Sequence, residues 1–385
     1  MRLGVDVALG STIPISLYAR IESLFDAGEK GVWYDPSDFS TLFQDSAGTI
    51  PVTAVGDPVG LMLDRATAIG TAGDVSPSLT SLAGWGTSGT PTYGSVSLES
   101  GGIRITARGG GIIALFLPFS TTAVAHRVSL TIQISSGIFF AEHGAGGSSV
   151  SITTSGTYNY INTQGRPFYI RTSVAGSALI TGLTITEVPG YPAWQTTAIN
   201  RPTLAQDANG KYRLDCNGTN SRMRTLALNM GTSALSVFAA VYKISDASAG
   251  MIVELSADAS ANNGAFYIEA SDGAAGNYRV LVRGSAADGA TPAIAAPDTS
   301  VISVVTQTGL PGTFLMRRDG VEVANSAPSF GTVNFGNYPI YLGARNASTL
   351  HFKGGLYGLI IRSVISTTAE IETAEMYMNF KSASY

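Results

Sequence analysis

The chain has 385 residues, too long for one ordinary β domain and suited to two or three. Apolar residues make up 44% and charged residues only 13%, with 45 glycines, which points to all-β structure with cores and many tight turns. A net charge of -4 and the lack of any basic run of five or more residues exclude an ordinary nucleic-acid binder.

The start, MRLGVDVALGSTIPIS, is not a signal peptide, because Asp6 interrupts the apolar stretch and no cleavage pattern follows. Synthesis in the cytoplasm is therefore expected. Residues 14–27 carry a helical pattern, with Leu17, Ile21, Leu24 and Phe25 on one face and Gly28 as the stop. Such a helix either docks to a partner or packs on its own domain. Next comes EKGVWYDPSDFSTLFQDSAGTIPV, a short piece whose Trp33, Phe39, Leu42 and Phe43 need a neighbour, either the next domain or another chain. Leu17, Ile21, Leu24, Phe25, Trp33 and Phe43 are assigned to attachment, as an apolar set that no compact domain is available to cover. Residues 1–63 then form a helix and attachment segment, and 64–81, rich in Gly, Ser, Thr and Pro, form a linker.

Seven short runs predict strands between residues 82 and 188: 96–98, 103–106, 112–117, 127–134, 149–153, 168–173 and 179–187. They make a small β-sandwich. The longest apolar run, 112–119, is too short to span a bilayer, so no membrane insertion is expected. PGYP at 189–192 breaks the chain before a larger β domain, 189–385. There strands are expected at 235–244, 251–256, 265–270, 278–283, 301–306, 312–317, 340–342 and 355–364. Asn209-Gly210 and Asp319-Gly320 mark hairpins. The tail, TTAEIETAEMYMNF, predicts a helix opened by a capping box.

Chemistry is sparse. Cys216 is the single cysteine and reads as a buried thiol. No H-E-x-x-H, zinc spacing, G-x-S-x-G elbow or E-x-D-x-E strand occurs. Glu254 with Asp258, and Glu269 with Asp272, have the wrong spacing for a catalytic strand pair. The histidines, His126, His143 and His351, are scattered. No catalytic residue, cofactor or metal is expected. Binding is more plausible, because sugars are held by aromatic faces and flat polar groups. The turns carrying Asn262, Asn263, Tyr278, Arg345, Asn346 and His351 are candidates, with Tyr158 and Tyr160 as a second set. Arg345 and Asn346 are expected at a loop tip; the alternative is that Arg345 pairs with a nearby carboxylate.

The phrases RLDCNGTNSRMRT, ALSVFAAVYKI, FLMRRDGVEVANS and YLGARN with FKGGLYGLIIRSVISTTAEIE resemble the concanavalin-A-like, laminin-G-type jelly roll over most of residues 191–385. Asn220 stands where that family often has an acidic residue, so the resemblance does not carry a calcium site with it. RVSLTIQISSG and ITGLTITEV resemble carbohydrate-binding-module or galactose-binding-like sandwiches. GVWYDPSDFSTLFQDSAGTIPVTAVGDPVGLMLD resembles a stretch near the start of tail-fibre-like proteins of tailed phages and prophages. These resemblances imply a virion fibre or spike, a homotrimer, that binds host surface polysaccharide or lipopolysaccharide and contacts other virion proteins. Two alternatives stand beside it, a structural decoration or connector protein of the virion and a polysaccharide-degrading spike.

Overall fold

A computed structural model describes residues 15–66, 73–117, 124–143, 149–163, 167–271 and 276–385. The architecture is all-β, two antiparallel sandwiches with a short helix near each end of the described chain.

The larger sandwich is built from an eight-stranded and a nine-stranded sheet. The first runs Thr203–Gln206, Tyr212–Asn217, Lys353–Arg362, Ala234–Lys243, Asp298–Gln307, Thr313–Arg318 and Val321–Ser326. Gly31–Tyr34 is its eighth strand, pairing with residues 359–362 beyond the stretch that pairs Tyr212–Asn217. The second runs Leu42–Phe43, Leu61–Met62, Ala193–Trp194, Met223–Asn229, Asn337–Leu342, Met251–Leu255, Ala265–Glu269, Arg279–Arg283 and Ala287–Ala290. Side chains alternate across each strand, so one face of each sheet fills a shared core that includes Val237, Val253, Phe266, Ile302 and Leu359. The turn at Asp319-Gly320 has positive φ at both residues, 50° and 77°, the twist a two-residue hairpin needs.

A second apolar layer covers the outer face of the eight-stranded sheet. Helix α1, Ile15–Glu22, with a 3-10 turn at Ser23–Phe25, lies there beside helix α2, Thr368–Ser382. Leu17, Ile21, Leu24, Phe25 and Trp33 are buried among Phe238, Tyr357, Ile360, Ile371, Tyr377 and Met378. This corrects the attachment assignment. The apolar face of α1 has a compact domain to cover it, and that domain is its own jelly roll. Phe43 is also used within the chain, packing against Leu61 and Trp194. At roughly 1.5–3 kcal/mol for each fully buried large side chain, this set belongs to stability.

A charged network locks that layer. Lys381 Nζ lies 2.6 Å from Asp35 Oδ2, which also accepts hydrogen bonds from Tyr18 and Tyr377 hydroxyls, each at 2.8 Å. Helix α2 itself opens as its sequence predicts, with the Thr367 side chain and Glu370 forming a reciprocal capping box.

The smaller sandwich has two five-stranded sheets. One is ordered Ser149–Ile152, Phe139–His143, Phe168–Thr172, Ile113–Leu117, Gly86–Ser88. The other is ordered Gly156–Asn162, Ala125–Ser136, Gly176–Val188, Gly102–Ala107, Gly94–Glu99. All seven predicted strands are present, with three more at Gly86–Ser88, Phe139–His143 and Gly156–Asn162. Part of the supposed linker is structured: Asp74 bridges Thr186, and Val75 packs on the small core. Residues 31–66 thus belong to the jelly roll, and the smaller sandwich is inserted after them. Leu61 and Trp194 on one side meet Ala125, Ile161 and Val188 on the other.

Asp64 ties the return of the chain to this frame. Its carboxylate accepts backbone N–H groups of Trp33 (2.8 Å), Ala66 (2.9 Å) and Tyr191 (3.0 Å). Burial outweighs these bonds and pushes its pKa up to about 6. The folded state therefore holds a proton that the unfolded state, near 3.9, has lost. The stability from this group is fully present below about pH 4 and is lost as pH rises through 6. Lowering the pH from 7 to 4 should stabilise the native chain relative to an Asp64→Asn variant by about 2–3 kcal/mol. Urea unfolding of both proteins at the two pH values checks this, and a gap independent of pH contradicts it.

Candidate functional site

The loops expected to bind sugar are mostly engaged with the protein itself. Arg345 does not reach outward. Its Nε lies 3.2 and 3.1 Å from the two carboxylate oxygens of Glu254, and Nη1 lies 3.3 Å from Asp258 Oδ1. Its guanidinium sits 5.3 Å from the centre of the Tyr267 ring. The turn that holds it is closed by Arg345 N–H donating to the Thr349 carbonyl at 2.8 Å. Asn346 is the exposed tip, with φ of 47°. Thus the expectation of an outward arginine is corrected and the carboxylate-pair alternative holds.

Tyr278 is corrected too. It is fully buried in the jelly-roll core, and its hydroxyl donates to Asp298 at 3.0 Å. Asn262 is half-buried, donating to Ser256 Oγ at 2.9 Å, while Asn263 is exposed and its carbonyl accepts from the Tyr338 hydroxyl. His351 is half-buried beside Met251, and burial, then the charge of Arg222, lowers its pKa. Asp258 links two of these turns, since its carbonyl accepts the Asn262 N–H and its carboxylate meets Arg345. Tyr278 belongs instead to the shared inner core.

Burial drives the Glu254 carboxyl up, with partial relief from the Ala259 N–H and Arg345. Asp258 is held low: serine hydrogen bonds and Arg345 outweigh its desolvation. Two carboxyls with divergent pKa values suit acid-base work in an open site. Glu254, however, is wholly buried beneath Arg345, where a substrate oxygen has no approach. Asp272, the carboxylate next along from Glu269 in the sequence pattern, lies outside the described residues.

Tyr158 and Tyr160 are corrected as well. Their stretch is the strand Gly156–Asn162, and the alternation of Tyr with Asn is the period of a sheet. Tyr160 is buried in the small core; Tyr158 packs on it and donates to the Thr154 carbonyl at 2.8 Å.

The same sandwich carries an aromatic face that the reading of the sequence missed. In the sheet containing Phe139–His143, Phe168–Thr172 and Ile113–Leu117, residues Phe139, Ala141, Phe168, Ile170, Ile113 and Leu115 point into the core. Period two sends Phe140, Glu142, Tyr169, Arg171 and Phe116 to the outer face. Register sets Phe116 opposite Tyr169, Tyr169 opposite Glu142, and Arg171 opposite Phe140. The Phe116 and Tyr169 rings stack, with centres 5.0 Å apart and planes 25° from parallel. Gly86 sits opposite Phe116 on the edge strand, and a Cβ there would lie 2.3 Å from the ring. The missing side chain lets that ring lie across the strand.

Arg171 lies 5.6 Å from the Phe140 ring centre and donates from Nε and Nη2 to both oxygens of Glu142. Those bonds raise the guanidinium pKa further. Phe116, Phe140, Tyr169 and Arg171 all remain partly exposed, while Glu142 is buried. The face therefore offers flat apolar rings beside a fixed, neutralised donor–acceptor pair. Rings of that kind meet the C–H side of a pyranose, and the pair meets hydroxyls. The signal was present in GIFFAEH, whose short apolar run suits a strand, although its glycine and histidine suggest a loop.

No protein-family model matches the chain, and no curated protein matches it in sequence. Among solved structures, the receptor-binding domain of botulinum neurotoxin type G is similar at 10% identity and a TM-score of 0.33, over 47% of each chain. The present chain thus matches about half the length of that one. A heptameric SAP-like pentraxin from Limulus polyphemus matches at 13% identity and 0.34, over 45% of this chain and 82% of the pentraxin. Trypanosoma rangeli sialidase matches at 8% and 0.37, over 75% of this chain and 62% of the enzyme. Likeness at this level defines no family, ligand or activity for the chain. Its class rests on its own topology, an all-β protein of two antiparallel sandwiches. Among the described residues, no helix is long and apolar enough to cross a membrane.

Proposed function

We propose that this is a carbohydrate-binding adhesion protein that holds surface polysaccharide or lipopolysaccharide without cleaving it. The observation that carries the proposal is the partly exposed Phe116–Tyr169 stack on an open sheet, beside Phe140 and the Arg171–Glu142 pair. Weak single sites gain strength when several copies are held together, so display as a fibre or spike on a tailed-phage or phage-like particle fits the reading. That particle assignment draws on the sequence resemblance of residues 31–64 alone. Absence of cleavage is part of the proposal: the jelly-roll carboxylate Glu254 is tied to Arg345 and out of reach.

Phe116→Ala with Tyr169→Ala should lower binding of the full chain to host cells or purified glycan at least tenfold. That corresponds to about 1.4 kcal/mol per site. Both side chains lie on the outer face, so circular dichroism should be unchanged. Incubation with capsule or lipopolysaccharide should release no new reducing ends. Full binding by the double variant refutes the site, and steady release of reducing ends refutes the absence of catalysis.

A further inference from the structure

We infer that the jelly roll carries a second, separate site, a cleft beside the 198–203 turn that takes a saccharide residue bearing a carboxylate. The cleft encloses about 510 Å³, within the usual size of a small-molecule site. Its polar wall includes Arg201, Asn217 and Lys353, and its apolar wall Pro58, Ile199 and Ile244. Ile199 is 75% exposed and Ile244 37%, so two large aliphatic side chains stand open at the mouth. Scattered exposed aliphatics are ordinary, but a pair on one polar cleft gives a surface for the C–H face of a sugar.

Charge sets the ligand class. The one carboxylate of the lining, Asp215, is already held by Arg213 Nε at 2.7 Å. Arg201 uses Nε and Nη2 on the carbonyls of Gln195 and Thr196, and among the described residues neither Arg201 nor Lys353 forms an ion pair. The Lys353 stem runs across Gly218, where a Cβ would lie 2.8 Å from the lysine Cβ. Arg222, next to the lining residue Ser221, donates its N–H to the Asn200 carbonyl at 2.9 Å, and among the described residues its Nε is buried without a hydrogen-bond partner. Among the described residues, Arg201, Lys353 and Arg222 thus stand at this end of the sandwich without a carboxylate partner. A carboxylate bound between Lys353 and Arg201 would supply that charge, while Asn217 has both donor and acceptor for hydroxyls.

The test uses the full chain, a glucuronate-containing oligosaccharide, and the same oligosaccharide with its carboxyls reduced to alcohols. Saturation-transfer NMR titration should show millimolar binding of the acidic form, weakened at least fivefold by carboxyl reduction. Lys353→Ala should abolish that preference, and Lys353→Arg should keep it. Lys353 is exposed, so neither change threatens folding. The Phe116→Ala, Tyr169→Ala variant should retain the preference, which separates this cleft from the aromatic face. Equal affinity for the two oligosaccharides, or an unchanged preference in Lys353→Ala, overturns the inference. Loss of the preference in the aromatic-face variant also overturns it, by moving the acidic site to the other sandwich.

Discussion

Lys381→Met should destabilise the jelly roll by about 3–5 kcal/mol, the usual cost of removing one partner of a buried ion pair. The side chain of Asp35 is wholly buried, and that of Lys381 is only 4% exposed. Without the ammonium, the carboxylate keeps the hydroxyls of Tyr18, Tyr377 and Ser37 but loses its counter-charge. The pair joins the loop after Gly31–Tyr34 to the last turn of α2, so its loss loosens two elements far apart in sequence. Burial by itself would push the Asp35 carboxyl up, but the Lys381 charge and hydrogen bonds hold it below the usual range. Its contribution is therefore present above the ordinary carboxylate pKa and lost as pH falls through the lower, folded value. Urea unfolding followed by tryptophan fluorescence measures the loss, since Trp33 Nε1 donates to Tyr377 within this network. The double variant Asp35→Asn, Lys381→Met should recover part of it, because no charge is then stranded. A loss below 1 kcal/mol in the single variant would count against the pair as a lock.

How legible was this arrangement in the sequence? Local signals succeeded where local chemistry decides. Thr367 with Glu370 opens α2, and Asp319-Gly320 turns the hairpin as expected. ALSVFAAVYKI forms the strand that its sequence predicts, and its near-continuous apolar run has a further meaning. Val237, Ala239 and Val241 face the core while Phe238 and Ala240 face the helices, so both faces are covered. That second cover is α2 with α1 packed beside it, so the apolar stripe of α1 needed no other chain. What the sequence did not show was that GVWY pairs with LIIR more than three hundred residues away. Four residues carry no marker for a partner so distant, and the inserted sandwich hides the continuity of the larger domain. The aromatic face was missed for a related reason. Phe140, Tyr169 and Phe116 lie on three strands, and only the register between them makes one surface.

Arg345→Ala should cost about 3–5 kcal/mol, rather than leave stability nearly unchanged as a loop-tip arginine would. Glu254 has no exposed side-chain surface, and Arg345 Nε faces both of its oxygens. Removing the guanidinium leaves the carboxylate with the Ala259 N–H as its remaining hydrogen bond among those described. Desolvation already raises its pKa in the native chain, and loss of the positive charge raises it further. In the variant Glu254 should then take up a proton to fold, so the penalty should be largest near pH 8 and shrink toward pH 5. Adding Glu254→Gln should recover much of the loss at neutral pH, because an amide keeps an acceptor for Ala259 and carries no charge to bury. Thermal and urea unfolding of the single and double variants at both pH values provide the test. Asn346→Gly, which keeps the positive φ of the exposed tip of the same turn, is the control for a surface change. A single variant as stable as the native chain, with no dependence on pH, would return Arg345 to the solvent and reopen that loop as a binding surface.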